Sequence, residues 1–144
     1  MKNKALILGS LVSLAFAIVV VAHQQPASAS DHLGTWQLVS TKYGDAKDYT
    51  DYPPENRRLK MITGTHFTWL DYETKTGKIR TSAGGRYTLK DGAYTETIEF
   101  AGEGLDAYLG KPQVFTIKID GDKLSQSGKL SDGTEIREIW QRLK

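Results

Sequence analysis

The 144-residue sequence contains no cysteine and only three histidines. Without cysteine the chain forms no disulfide, has no thiol nucleophile and lacks the lipid-modified cysteine with which a bacterial lipoprotein begins. Hydrolase and phosphate-binding motifs such as Gly-x-Ser-x-Gly, His-Glu-x-x-His and the phosphate loop are also missing. The two histidines that follow residue 29, His32 and His66, lie on different predicted elements. The sequence therefore predicts no catalytic residue, no metal site and no cofactor.

An excess of charge of one sign is lacking as well. Lys2 and Lys4 are the only two of the 19 Lys and Arg residues that precede residue 30, which leaves 17 cationic side chains against 17 acidic ones. No run or stripe of basic residues remains to neutralise phosphates. Nucleic acid is therefore not expected as a partner.

Long hydrophobic runs are confined to the beginning of the chain. Two lysines precede a largely apolar run over residues 5–22, and Ala27-Ser28-Ala29 follows it. This is the layout of a secretory signal peptide with an Ala-x-Ala cleavage site, so we predict a signal peptide over residues 1–29 and export to the periplasm or the extracellular space. An uncleaved membrane anchor is the alternative, because the apolar run approaches membrane-spanning length. The folded domain is predicted over residues 30–144.

Alternating apolar and polar side chains, with many β-branched and aromatic residues, dominate this domain. The pattern predicts eight strands, at residues 34–43, 58–63, 66–72, 78–90, 93–100, 113–120, 123–129 and 134–143. Most of the breaks between them are short and contain a glycine, which predicts hairpin turns and antiparallel neighbours. The Gly84-Gly85 pair inside the fourth strand indicates a bulge or a sharp bend.

Two connections are longer, at residues 44–56 and 101–112, and we interpret both as candidate lids; residues 105–109 could form a helical turn. Eight antiparallel strands in succession leave two exposed edges unless the first and last strands pair. The predicted fold is therefore all-β, an eight-stranded antiparallel up-and-down barrel. A barrel of this size either fills with side chains or holds one small ligand.

The first and last strands carry a family resemblance. Gly34-Thr35-Trp36 resembles the Gly-x-Trp signature of the lipocalins and the wider calycin group. The chain is also similar to small secreted bacterial lipocalin-like proteins of undefined function, through the segments HFTWLDYETKTGK, GGRYTL, YTETIEF, YLGK and EIREIWQRL. The resemblance implies a barrel floor formed by Gly34 and Trp36, with a basic residue of the last strand across it. Arg142 is the best match for that residue, and Arg137 is the second.

One departure from the calycin pattern matters for function. The fatty-acid-binding members of the wider group hold a carboxylate with an Arg-x-Tyr sequence on the last strand, whereas this chain has Arg137-Glu138-Ile139. A fatty-acid site is therefore not carried over.

Alternation also predicts which side chains point into the barrel. The predicted interior set is Trp36, Leu38, Leu59, Met61, Phe67, Trp69, Asp71, Tyr87, Leu89, Tyr94, Glu96, Ile98, Phe100, Phe115, Ile117, Ile119, Leu124, Gln126, Gly128, Leu130, Ile136, Glu138 and Trp140. Glu96 is the unusual member, because a buried carboxylate needs a partner. Gln126, Glu138, His66 and Arg86 are the polar candidates.

We expect a non-catalytic protein that binds a small hydrophobic or amphipathic ligand in the barrel. The predicted ligand-binding residues are Trp69, Tyr87, Tyr94, Glu96, Phe100, Phe115, Gln126, Glu138 and Trp140. One alternative is a filled barrel that serves as an envelope interaction module through its two long connections. An enzyme with a Glu96–His66 acid-base pair is a further alternative, and a heme-binding variant would need His66 to point inward. The oligomeric state is left open.

Overall fold

The computed structural model describes residues 30–144, so the predicted signal peptide, residues 1–29, lies outside the described residues. The elements are β1 (Gly34–Tyr43), β2 (Thr50–Asp51), β3 (Asn56–Ile62), β4 (His66–Glu73), β5 (Ile79–Lys90), β6 (Ala93–Ala101), the 3₁₀ helix η1 (Asp106–Tyr108), β7 (Pro112–Asp120), β8 (Lys123–Lys129) and β9 (Glu135–Arg142). Within the described part of the chain, no helix is long and apolar enough to cross a membrane.

The eight long strands close into an antiparallel barrel, as the sequence predicts. Consecutive strands from β3 to β9 pair with one another, and β1 pairs with both β3 and β9. Trp36 of β1 thereby lies opposite Lys60 of β3 and Arg142 of β9. The eight strands begin and end within two residues of their predicted bounds. The two-residue strand β2 was not predicted; it lies in the first long connection and pairs with Ser40 and Thr41 beyond the end of β3.

One end of the barrel is closed by the start of the domain. The Arg142 guanidinium lies 4.1 Å from the centre of the Trp36 ring and donates hydrogen bonds to the backbone oxygens of Asp31 and Leu33 at 2.5 and 2.7 Å. Gly34 has a φ of +126°, and a Cβ there would lie 2.9 Å from the guanidinium. The two ends of the domain are thus tied together across a ring that plugs the barrel. Arg137, the second candidate for this position, instead pairs with Glu135.

The glycine pair of β5 marks a bulge. The β5–β6 register shifts between Gly84, which faces Phe100, and Gly85, which faces Ile98. A Cβ on Gly85 would overlap backbone atoms of β6, so this close approach requires glycine. The extra residue reverses the alternation of β6 beyond Ile98. Phe100, predicted to be interior, is therefore on the outside with 52% of its surface exposed. Leu89, also predicted inside, is exposed at the end of β5.

Candidate binding cavity

A cavity of about 260 Å³ occupies the half of the barrel away from Trp36. Its lining includes the almost fully buried Lys60, Glu96 and Trp140, and also Leu105 and Tyr108 of the second long connection. The sequence left open whether the barrel is hollow or filled. The structure divides the barrel in two: large side chains fill the closed end, and the open end is hollow.

A buried ion pair forms the floor of this cavity. Lys60 Nζ donates to Glu96 Oε1 and to Gln126 Oε1, both at 2.8 Å, and only 2% of the Lys60 surface is exposed. The ammonium also lies 5.2 Å from the centre of the Trp140 ring. Burial raises the pKa of Glu96, and the Lys60 ammonium opposes that shift. Glu96 is thus buried with a cationic partner that the sequence analysis did not include among the candidates.

The sequence prediction of which face of β3 points into the barrel was wrong. Leu59 and Met61 were placed inside because they are the more apolar pair, but it is Lys60 and Ile62 that are buried, while Leu59 and Met61 are partly exposed. The physical reason lies on another strand, because the Glu96 carboxylate requires a cation inside the barrel. Two signals were available in the sequence: Lys60 alternates with Ile62, and the interior carboxylate Glu96 requires a partner.

A second carboxylate, Glu138, lies in the cavity wall with 6% of its surface exposed. Its Oε1 accepts a short hydrogen bond from the Tyr43 hydroxyl, and its Oε2 accepts one from Trp140 Nε1 at 3.2 Å. Burial, and then the Glu138 charge, raise the pKa of Tyr43 above its ordinary range. Both of these donors are neutral, and the Arg58 guanidinium, which lines the same cavity, interacts electrostatically with the Glu138 carboxylate.

A third polar group joins the cavity wall to the first long connection. Arg58 lines the cavity and contacts Asp71 Oδ2 at 3.1 Å, and its guanidinium lies 4.9 Å from the centre of the Trp69 ring. Tyr52, in the first long connection, donates to the same carboxylate oxygen at 2.5 Å. Burial and this hydrogen bond raise the pKa of Tyr52 to about 12. Asp71 therefore anchors the first connection at the open end.

The second long connection also lies at the open end. Leu105 immediately precedes η1, and Tyr108 is its last residue. Both side chains contribute to the cavity wall. The Tyr108 hydroxyl donates to Asp132 Oδ2 in the β8–β9 turn at 2.6 Å. That hydrogen bond is the main cause that lowers the pKa of the exposed Asp132 carboxyl. Both connections that the sequence marked as lids are thus at the cavity end of the barrel.

The structure brings six of the nine predicted ligand-binding residues to the cavity wall: Trp69, Glu96, Phe115, Gln126, Glu138 and Trp140. Tyr87 and Tyr94 instead pack together at the closed end, with ring centres 4.9 Å apart. The Tyr87 hydroxyl donates to the Thr63 backbone oxygen at 2.7 Å and lies 2.8 Å from His32 Nε2. Both tyrosines point inward but lie below the ion pair, and Phe100 is outside.

Glu96 and His66 do not form the acid-base pair that an enzyme alternative would need. His66 is exposed, and its Nδ1 lies 2.7 Å from the Thr65 hydroxyl, whereas Glu96 is buried against Lys60. His66 also does not line the cavity, so the heme-binding variant lacks the inward histidine that it requires. Sequence reasoning missed seven polar cavity residues: Tyr43, Arg58, Lys60, Thr81, Tyr108, Gln113 and Thr134.

Solved structures share this architecture at low sequence identity. A lipocalin-like protein from Bacteroides uniformis matches with a TM-score of 0.56 and 17% identity, over 77% of this chain and 97% of that chain. An uncharacterized protein from Bacteroides eggerthii matches with a TM-score of 0.56 and 14% identity, over 77% of this chain and 98% of that chain. These likenesses establish a lipocalin-like fold.

The sequence comparisons add the family. The curated proteins offer no significant match to this sequence. A family described as "Domain of unknown function (DUF4488)" matches residues 31–144, which is the whole barrel with its closing segment. The chain therefore belongs to the DUF4488 family, and its domain is a lipocalin-like eight-stranded barrel.

Proposed function

We propose that this protein binds a small hydrophobic or amphipathic molecule inside its barrel and does not transform it. The cavity carries the proposal. Protein interiors are close-packed, and voids larger than a water molecule are few in a domain. A space of about 260 Å³, between a fully packed floor and two long connections, is therefore a feature to which a function can be assigned.

The lining of the cavity favours a mostly apolar ligand. Its wall combines the rings of Trp69, Phe115 and Trp140 with the aliphatic side chains of Ile98 and Ile136. Polar side chains also line the cavity, and hydrogen bonds hold Lys60, Glu96, Gln126 and Glu138 in defined positions, as small-molecule sites require. At about 260 Å³ the cavity is slightly smaller than the range of roughly 300–1,000 Å³ that is usual for ligand pockets, so the bound part of the ligand is small.

The proposal includes the compartment in which binding occurs. The basic, apolar and small-residue order of residues 1–29 supports export, and residues 30–144 carry no cysteine that an oxidising compartment would pair. We propose a periplasmic or extracellular carrier or scavenger, with any membrane attachment limited to an uncleaved leader. Mass spectrometry of the exported protein gives its amino-terminal residue and tests this part directly, with Ser30 expected.

Native mass spectrometry tests binding without a prior choice of ligand. The protein is purified from its own export route and its mass is measured before and after denaturing extraction. An additional mass that is lost on denaturation is expected, and the extract identifies the ligand.

A cavity-filling variant provides the matched control. Ala83 is buried and lines the cavity, whereas Ala93 lies at the closed end on the outer face of β6. Ala83→Leu is expected to abolish the additional mass, and Ala93→Leu is expected to retain it. A bare mass in the wild type, together with no effect of Ala83→Leu on any added apolar ligand, would move the function to the two long connections as a protein-interaction surface.

A further inference from the structure

We infer that the cavity selects an uncharged ligand that carries a carbonyl oxygen, and that the Arg58 guanidinium donates a hydrogen bond to this oxygen through Nε. The inference rests on the proposed function and specifies the chemical class of its ligand. Two observations at the open end carry it. The charges of the cavity wall compensate one another, and polar atoms of two wall residues have no hydrogen-bond partner within residues 30–144.

The charged side chains of the cavity wall are equal in number and opposite in sign. Arg58 and Lys60 are the cationic residues of the wall, and Glu96 and Glu138 are the acidic ones. Lys60 contacts Glu96 at 2.8 Å, and Arg58 interacts electrostatically with Glu138. A charged ligand would add one unmatched charge to this balanced wall, and a buried charge without an opposite charge is costly. An uncharged ligand avoids that cost.

Arg58 is held at the cavity wall with one donor unused. Its Nη2 donates to Asp71 Oδ2 at 3.1 Å, and its guanidinium lies 4.9 Å from the centre of the Trp69 ring and 5.5 Å from that of Tyr52. Nε is buried and has no hydrogen-bond partner in the part of the chain that the structure describes. An arginine side chain only donates, so a ligand has to supply an acceptor to this atom. Such an acceptor removes the cost of an unsatisfied buried donor.

A second unpartnered atom belongs to the same wall. Arg58 of β3 is paired in register with Asp71 of β4, and Asp71 with Thr81 of β5, so the three residues form one row. Thr81 lines the cavity, and its buried hydroxyl also lacks a hydrogen-bond partner among residues 30–144. Asp71 Oδ1 is a third such atom, but Asp71 is not one of the residues that line the cavity. Both unpartnered atoms of the lining can donate, and a carbonyl oxygen only accepts, which favours this group over one that must also donate.

Four probes of nearly the same shape test the inference: acetophenone, its alkene analogue α-methylstyrene, benzoate and benzamidine. Binding is measured at pH 7 by isothermal titration calorimetry. At this pH benzoate is anionic, like a glutamate side chain, and benzamidine is cationic, like an arginine side chain. We expect acetophenone to bind about tenfold more tightly than either charged probe, because neither charge finds an unpaired partner in the wall.

Arg58→Lys removes Nε and keeps the positive charge that Asp71 and Glu138 face. The affinity of acetophenone relative to α-methylstyrene is expected to fall about tenfold in this variant, because only the ketone accepts a hydrogen bond from the charged donor. The ratio cancels the difference in hydration between the two probes. Arg86→Lys is the matched control, since Arg86 is exposed on β5 and pairs with Glu99, and it is expected to keep the wild-type ratio. Retained binding of α-methylstyrene by Arg58→Lys verifies that the cavity is intact.

The Nε–H group of Arg58 gives a direct signal of the proposed hydrogen bond. In ¹H–¹⁵N nuclear magnetic resonance spectra, its resonance is identified by its absence from Arg58→Lys. Acetophenone is expected to shift this resonance downfield, whereas α-methylstyrene, which accepts no hydrogen bond, is expected to leave it nearly unchanged. The Nε–H resonance of Arg86 is the internal control and is expected to stay in place with both probes.

The outcomes distinguish this inference from the proposed function. An unchanged ratio in Arg58→Lys, or an Arg58 Nε–H resonance that bound acetophenone does not move, would overturn the inference and leave the proposed function standing. Tighter binding of benzoate or benzamidine than of acetophenone would overturn it as well, because the wall would then select a charge. No binding of any of the four, with no additional mass in native mass spectrometry, would overturn both.

Discussion

The closed end and the open end of this barrel are formed by the same strands, yet only one of them is filled. At the closed end Trp36, Leu38, Phe67 and Tyr94 are almost completely buried against one another. At the open end, apolar walls such as Trp69 and Phe115 are combined with short side chains such as Ala83 and with charged side chains that are tied to partners, and a cavity remains between them. An eight-stranded barrel thus becomes solid or hollow according to the side chains at each level.

The boundary between the two halves is the Lys60–Glu96 pair. It lies above the packed rings of Tyr94 and Phe67, whose centres are within 6 Å of the Lys60 ammonium. A hydrophobic residue at either position could pack upward into the cavity, whereas the two charges are held together by their hydrogen bond. Polar residues at this level therefore define the floor on which a ligand can rest.

Removal of the closing ring is expected to have the largest effect on stability. Trp36→Ala leaves a cavity at the closed end, and the free energy of unfolding is expected to fall by about 3–5 kcal/mol. Urea unfolding followed by circular dichroism measures the loss. Trp69→Ala, in the wall of the open end, is the comparison and is expected to lose clearly less because Trp69 is only half-buried. Equal losses would contradict the division into a packed end and a hollow end.

A change at the boundary is expected to have the second largest effect. Lys60→Met leaves the buried Glu96 carboxylate without its cation and is expected to lower the free energy of unfolding by about 3 kcal/mol. The double variant Lys60→Met with Glu96→Leu removes both charges and is expected to recover to within about 1 kcal/mol of the wild type. A double variant as unstable as the single one would show that the pair does more than satisfy a buried charge.

The pH dependence of stability sharpens the comparison at the closed end. His32 is buried there, and burial lowers its pKa below the ordinary value of 6.5. Between the lowered pKa and pH 6.5, the unfolded chain binds more protons at this position than the folded chain does. The contribution of neutral His32 to the free energy of unfolding is therefore fully present above pH 6.5 and is lost as the pH decreases through that window. The Tyr87 hydroxyl donates to Thr63, so it accepts from His32 Nε2–H.

His32→Gln tests this assignment, because glutamine keeps an amide donor for Tyr87 but does not titrate. Thermal unfolding between pH 5 and 7.5 is expected to show a flatter pH dependence in the variant than in the wild type. His66→Gln, at an exposed position of the same end, is the control and is expected to follow the wild type. A variant profile as steep as that of the wild type would exclude His32 as the source.

The smallest expected effect on stability is at the rim of the open end. Tyr108→Phe removes the exposed hydrogen bond to Asp132, and the free energy of unfolding is expected to change by about 0.5 kcal/mol or less. If the second connection gates the cavity, a bound ligand is expected to dissociate faster from this variant, as stopped-flow displacement measures. Tyr52→Phe gives the contrast, because its partner Asp71 is buried and a larger loss of stability is expected.

Most of the fold was predictable, because strand alternation and glycine turns are local signals. The eight strands, their antiparallel order and the bulge at Gly84-Gly85 follow from them. These signals do not predict whether Phe100 points into or out of the barrel, because that depends on which residue of β6 is the extra one in the bulge. Alternation therefore predicts which side chains of a strand point inward only up to the next bulge.

The site was predictable in part, and the errors share one cause. Glu96 and Gln126 were placed inside correctly from the alternation of their own strands, and Glu138 from the placement of Arg142 over Trp36. Lys60 was missed because the choice between two faces of β3 was made on apolarity within that strand alone. The partner of a buried charge is supplied by another strand, so its identity is a property of the assembled barrel.

The sequence by itself determined an all-β, cysteine-free domain with a glycine and a tryptophan at its start and a basic residue at its end, because composition and periodicity are encoded residue by residue. Only the tertiary structure decided that Lys60 neutralises Glu96, that Tyr43 and Trp140 donate to Glu138, and that the barrel is hollow at one end. These features depend on which side chains of non-adjacent strands meet, and on how much space they leave between them.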